Sequence, residues 1–169
     1  MKKHEPVLIV LAGLPGTGKS SIARVLAAEL RAVWLRVDTI EQAIRDAGGG
    51  PEDAGYRVAY ALANDNLQCG LNVIGDSVNP WMLTRNAWRD VGLKAGARVL
   101  EIETVCSDTA EHRRRIETRR TNIPGLVLPD WQAVMERDYH AWDREPLRID
   151  TAAYSVASCV GIIRDALKS

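Results

Sequence analysis

The chain has 169 residues, enough for one domain that buries about two-thirds of the surface its extended form exposes. Lys plus Arg and Asp plus Glu each number 22, so net charge gives no reason to expect nucleic acid or an anionic membrane as partner. No run approaches the ~18 consecutive apolar residues of a membrane span, and Cys69, Cys106 and Cys159 stand singly, which speaks against a disulfide framework or zinc site and for small core thiols.

Residues 1–6 lead into a short strand rather than a signal peptide, so a single cytoplasmic domain over residues 1–169 is expected. Val7-Leu8-Ile9-Val10-Leu11-Ala12 is apolar throughout, as a strand buried on both faces must be. Gly13-Leu14-Pro15-Gly16-Thr17-Gly18-Lys19-Ser20 then fills every fixed slot of the G-x-x-x-x-G-K-[ST] loop. Residues 21–30 follow as an amphipathic helix with Ile22, Val25, Leu26 and Leu30 on one face. Glycines at 16 and 18 let successive N–H groups turn toward one anion, and the helix N-terminus adds unpaired donors to the same spot. Lys19 suits the β- and γ-phosphates, and the Ser20 hydroxyl suits Mg²⁺. Gly13, Gly16, Thr17, Gly18, Lys19, Ser20 and Ser21 are therefore the expected seat of a nucleoside triphosphate.

Residues 32–37 read as a second strand ending at Asp38, and residues 39–47 as a helix stopped by Gly48-Gly49-Gly50-Pro51. Residues 54–69 are helical, with Val58, Leu62, Ala63 and Leu67 expected inward. A short strand over 72–76 ends at Asp76, and a helix starts at Pro80 and runs to about residue 94. The fourth strand spans 98–106, a highly charged helix 109–120, and an irregular flap 121–129. A helix over 130–142, a last strand over 146–149 and a closing helix over 154–167 complete the chain. Strands alternating with helices imply an α/β fold: the three-layer P-loop NTPase arrangement, a five-stranded parallel sheet with helices on both faces.

Ligands of such sheets sit outside the carboxyl ends of the strands, where Asp38 and Asp76 stand. Asp38 is expected to act as the base or orienting group for an acceptor hydroxyl, with helix N-capping as the competing role. Asp76 is expected to hold Mg²⁺ opposite Ser20, with turn formation as its competitor. Residues 112–120 carry five arginines, most of them suited to a solvated face. Arg115 and Arg119, four apart, are expected to converge on the nucleotide, one stacking on the base and the other neutralising transferred charge. Trp81 and Arg85 are candidates for the acceptor side. Trp131, Tyr139 and Trp142 read as packing residues, and the three histidines, lacking ligand spacing, as surface.

On these segments the chain resembles the small P-loop kinases of the adenylate-kinase-like superfamily, in particular AAA-type ATPase domains of kinase character. It is also similar to chloramphenicol phosphotransferase, gluconate kinase and polynucleotide kinase domains. The phosphate loop carries the resemblance together with Val105-Cys106-Ser107-Asp108, Arg115, Arg119, Ile123-Pro124-Gly125, Pro129-Asp130-Trp131, Tyr139, Trp142 and Ile149-Asp150-Thr151. It implies that Arg115 and Arg119 are lid arginines, that the flap over 121–129 closes on the phosphates, that Asp150 and Thr151 border the adenine, and that Asp38 is the acceptor-side base. The implied activity is transfer of the ATP γ-phosphate to a hydroxyl of a small molecule, catalysed by Lys19, Asp38 and Arg119. Polynucleotide 5′-kinases similar to this chain carry an arginine three residues after the catalytic aspartate, where this chain has Glu41. A 5′-hydroxyl kinase therefore ranks second, beside a non-catalytic nucleotide-responsive binding module.

Overall fold

In the computed structural model, which describes residues 5–168, five strands form one parallel sheet in the order β2-β3-β1-β4-β5. The strands are β1 (Val7–Ala12), β2 (Val33–Arg36), β3 (Val73–Asp76), β4 (Arg98–Val105) and β5 (Leu147–Asp150). The central strand, β1, pairs with β3 through Leu8↔Val73 to Leu11↔Asp76, and with β4 through Val7↔Arg98 to Ala12↔Glu103. Helices α1 (Lys19–Leu30) and α7 (Val156–Ala166) cover one face; α3 (Ala54–Gln68) and α4 (Met82–Lys94) cover the other.

The two-residue strand period divides the core cleanly. Ile9 and Leu11 of β1 join Ile22, Leu26, Val160 and Ile163 on the α1/α7 side, while Leu8 and Val10 join Ala59, Ala63, Leu67 and Trp88 on the other. Leu8, Ile9, Val10, Leu11, Ile74 and Ile102 are fully buried, each contributing about 1.5–3 kcal/mol relative to exposure. The Trp88 indole lies flat against the backbone of Gly75, where a Cβ would come within 2.8 Å of the ring.

Several expectations shift. The second strand stops at Arg36, its last residue paired with β3, and α2 (Val37–Asp46) begins at once, so Asp38 sits in a helical first turn rather than at a strand end. The helix expected over 130–142 is only α6 (Trp131–Met135). Beyond it the carbonyls of His140 and Ala141 accept from the Arg85 guanidinium, and Tyr139 and Trp142 donate to Glu103, so this stretch is held by side chains of the body. The buried stripe of α3 is Ala59, Ala63 and Leu67, because small residues allow close approach to the sheet and to α4; Val58 and Leu62 are about 40% exposed.

The charged helix α5 spans Thr109–Thr118, and Asp108 caps it by accepting from the Glu111 N–H. Among the described residues no helix is long and apolar enough to cross a membrane. Of the cysteines, which form no disulfides, Cys159 is buried, Cys106 is partly covered, and Cys69 is exposed rather than in the core.

Candidate functional site

The loop between β1 and α1 takes the shape its glycines permit. Gly16 and Gly18 have φ of 82° and 93°, and Gly18 precedes the first turn of α1. A Cβ on Gly13 would lie 2.3 Å from the Thr104 carbonyl oxygen, so the strand-to-loop corner has no room for a side chain. Thr17 Oγ1 is 2.7 Å from Thr104 Oγ1, which fastens the loop to β4. Lys19 is 8% exposed, and its Nζ donates to the carbonyls of Gly13 (2.6 Å) and Leu14 (2.9 Å). Burial lowers its pKa to about 8, against the opposing fields of Asp76 and Asp38.

Ser20 and Asp76 meet. Ser20 Oγ donates to Asp76 Oδ2 at 2.8 Å, and Trp34 Nε1 donates to the same oxygen at 3.0 Å. Asp76 is 3% exposed, and burial raises its pKa despite Lys19, Ser20 and Trp34. Hydroxyl and carboxylate form an all-oxygen pair whose desolvated charge a hard cation would compensate, so these residues fit Mg²⁺. Among the described residues no group of three or more His, Cys, Asp or Glu could hold a metal alone. A cation here would share its shell with phosphate oxygens, as Mg²⁺ ordinarily does.

Asp38 projects from the first turn of α2 without capping it. It lines a cavity of about 340 Å³ with Gly16, Lys19, Ser20, Asp76 and Arg119. Leu126, Val127, Leu128 and Pro129 of the flap form part of its wall. Asp38 also lines an adjoining cavity of about 660 Å³ bounded by Tyr56, Tyr60, Trp81 and Thr84. Asp38, with Glu41 one turn along α2, thus stands between a phosphate-loop cavity and a larger, aromatic one.

The two arginines share one cavity, but only Arg119 also reaches the phosphate-loop cavity. Arg119 lies just past α5, at its C-cap, with a buried Nε that has no hydrogen-bond partner; burial lowers its pKa. Arg115 points to the other side of the loop, where Nη1 and Nη2 donate to Thr151 Oγ1 (2.8 Å) and the Thr151 carbonyl (2.9 Å). Thr151 Oγ1 in turn donates to the Thr17 carbonyl at 3.0 Å. Both arginines, Ser21, Gly18, Thr151 and Tyr154 line a third cavity of about 510 Å³.

Other expected residues are placed differently. Arg85 is fully buried and does not line the aromatic cavity; it donates to the carbonyls of Asn79, Pro80, His140 and Ala141 and lies 4.2 Å from the Trp142 ring centroid. It braces the segment after α6. Asp150 turns its carboxylate onto the Ser107 N–H and hydroxyl and the Ala152 N–H, which lowers its pKa and clasps the turn that presents Thr151. His112 is not on the surface: it is 5% exposed, with Nε2 2.8 Å from the Pro15 carbonyl oxygen and its ring edge-on to Trp131. Trp81, by contrast, does line the aromatic cavity, and its Nε1 donates to Asp138.

Arg137 lines the phosphate-loop cavity as well as the aromatic one, and sequence reasoning missed it. It follows a short helix with no periodic signal and reaches the site only because that helix ends early. Trp34 was likewise invisible, since its role rests on pairing of β2 with β3.

A family profile for AAA domains matches residues 8–137, from β1 through Arg137. The chain belongs to the AAA domain family. No curated protein matches this AAA domain by sequence. Among solved structures it is similar to the APS kinase CysC of Mycobacterium tuberculosis in complex with AMPPNP and APS: 22% identity, TM-score 0.72, covering 98% of this chain and 99% of that one. A candidate kinase from Chloroflexus aurantiacus is similar at 22% identity and TM-score 0.75, covering 98% and 97%. A gluconokinase from Sinorhizobium meliloti 1021 is similar at 19% identity and TM-score 0.65, covering 98% and 96%. At these identities the likeness establishes the fold, and this AAA domain has the P-loop kinase fold.

Proposed function

We propose that this protein is an ATP-dependent phosphotransferase that moves the γ-phosphate of ATP to a hydroxyl of a small-molecule acceptor. The observation that carries this reading is the position of Asp38, on the boundary between the cavity holding Lys19, Ser20, Asp76 and Arg119 and the aromatic cavity beyond it. Structural neighbours named for APS and for gluconate support a small-molecule acceptor.

In this reading the amides of residues 16–21 hold the triphosphate at the N-terminus of α1, and the third cavity, floored by Thr151 and Arg115, takes the nucleoside. Asp38 accepts a hydrogen bond from the acceptor hydroxyl, orients it in line with the γ-phosphorus and takes its proton as the bond forms. Lys19, Arg119 and Arg137 stabilise charge on the phosphoryl oxygens during transfer. Mg²⁺, held by Ser20 and Asp76, would neutralise the β- and γ-oxygens. The flap that carries Leu126 to Pro129 closes over the phosphates and excludes water, which suppresses hydrolysis.

The test is ADP release over a panel of sugars, nucleosides, amino sugars, aminoglycosides and 5′-hydroxyl oligonucleotides, with phosphorus NMR on each product. A phosphate ester on a small acceptor is expected. ADP release stimulated by oligonucleotides alone would replace the proposal with a 5′-end kinase.

A further inference from the structure

The two cavities that share Asp38 differ in charge. The phosphate-loop cavity is lined by four basic residues (Lys19, Arg45, Arg119, Arg137) and three acidic ones (Asp38, Glu41, Asp76). The aromatic cavity is lined by five acidic residues (Asp38, Glu41, Glu52, Asp53, Asp138) and two basic ones, Arg57 and Arg137. Of those two, Arg137 also lines the phosphate-loop cavity, and its field reaches Lys19 and Arg119 as well as Glu41. The acceptor side thus carries a surplus of negative charge beside the phenol rings of Tyr56 and Tyr60 and the indole of Trp81.

Packing holds this arrangement in place. Asp38 and Glu41 are three residues apart on α2, hence on one face. The Glu41 side chain lies across Gly55 of α3, where a Cβ would come within 2.3 Å of Glu41 Cγ, so a glycine makes room for that carboxylate at the cavity wall. Burial and the neighbouring Asp38 charge both raise the Glu41 pKa, and Arg45, at 4.0 Å, together with Arg137 offsets this only in part. A wall of this kind is relieved by a cation placed against it. A further polar group waits at the boundary. The Ser77 hydroxyl, on a residue 5% exposed that lines both cavities, completes no hydrogen bond. Burial raises the pKa of the neighbouring Tyr56 phenol, offset only in part by the Asn79 N–H and the nearby Ser77 hydroxyl.

We infer that the acceptor is an organic cation bearing a hydroxyl, an amino sugar or related amino alcohol, whose ammonium group lies between Glu41 and the Glu52–Asp53 end of the cavity while its hydroxyl reaches Asp38. This rests on the phosphotransfer reading and narrows it. The aromatic rings supply faces for the cation and for an apolar sugar face. The same carboxylates repel phosphorylated or carboxylated acceptors, which gives selection by exclusion as well as attraction.

The experiment is kinetic and calorimetric on the full chain, with glucosamine, its ring-matched neutral analogues glucose and N-acetylglucosamine, the open-chain anion gluconate and the aminoglycoside neamine. ADP release is measured for each with wild type, Glu41→Gln and Asp53→Asn, and binding of each probe is measured by calorimetry with a non-hydrolysable ATP analogue present. The expected result is kcat/KM for a cationic probe at least about tenfold above its neutral isostere, no turnover of gluconate, and a loss of about tenfold in that ratio in Glu41→Gln, carried by KM. Equal or better use of neutral or anionic probes overturns the inference and leaves the kinase reading standing. Binding of cationic probes that Glu41→Gln weakens, without ADP release, sustains the cation site and overturns the kinase reading. Failure of the cationic probes to bind overturns the inference.

Discussion

Arg115 grips Thr151 through both terminal nitrogens, and the hydroxyl it holds reaches on to the Thr17 carbonyl within the phosphate loop. A three-part clamp thereby joins α5, the loop after β5 and the strand-to-helix turn.

Thr151→Val keeps the shape and removes the hydroxyl, so the clamp loses two hydrogen bonds and about 1–3 kcal/mol of stability. KM for ATP is expected to rise severalfold while kcat changes little, since the clamp positions the nucleotide site and touches no transferring oxygen in the proposed geometry. Steady-state kinetics with a urea titration checks it; a fall in kcat at unchanged KM counts against this placement.

Asp38→Asn separates chemistry from binding. ATP affinity is expected to stay within a factor of about three, and acceptor-dependent ADP release to fall by about 10²–10⁴ if the carboxylate takes the hydroxyl proton. Unchanged turnover would remove Asp38 from the mechanism.

The lowered pKa of Lys19 gives ATP binding a pH signature. Below about pH 8 the ammonium is already charged before phosphate arrives; above it, binding must draw a proton from solvent, because the triphosphate raises the lysine pKa again. Affinity is therefore full below about 8 and falls as pH rises beyond it. Calorimetry in buffers of different ionisation heat should find proton uptake appearing above that point and absent in Lys19→Met. A flat profile would place Lys19 in a better-solvated setting.

Arg85→Met tests a structural role where an acceptor role was expected. Four backbone carbonyls lose the guanidinium as donor, Pro80 keeping the His140 N–H, and the expected cost is about 3 kcal/mol or more, read as a lower urea midpoint. If instead the midpoint holds and only acceptor KM rises, Arg85 belongs to the binding site after all.

Gly75→Ala pushes a methyl group into the face of Trp88 and is expected to destabilise by about 1–3 kcal/mol through overpacking, with ATP KM unchanged at permissive temperature.

Much of this architecture was readable along the chain. The apolar run of β1, the glycine pattern after it and the alternation of strands with helices depend on near neighbours and on periodicity, so composition at fixed spacing was enough for five parallel strands, a phosphate loop and carboxylates near the strand ends. What spacing left open involves partners far apart in sequence. His112 looked like one more polar residue of a charged helix until its ring met the Pro15 carbonyl oxygen, 97 residues away. Arg85 and Arg119 had similar prospects in one dimension, yet one is buried among carbonyls and the other faces the phosphate-loop cavity.

The sequence by itself determined which atoms the proposed triphosphate site draws on, because its backbone amides, lysine and hydroxyl fall within eight consecutive residues. Only the tertiary structure decided what surrounds them: that Asp38 and Glu41 stand between two cavities, that Arg137 lines both, and that carboxylates from α2 and from just before α3 line the second. The reason is physical. Local backbone geometry follows from steric limits of neighbouring residues, whereas the position of a side chain at a cavity wall follows from how whole helices settle on a sheet, a sum over many weak contacts that no single segment encodes.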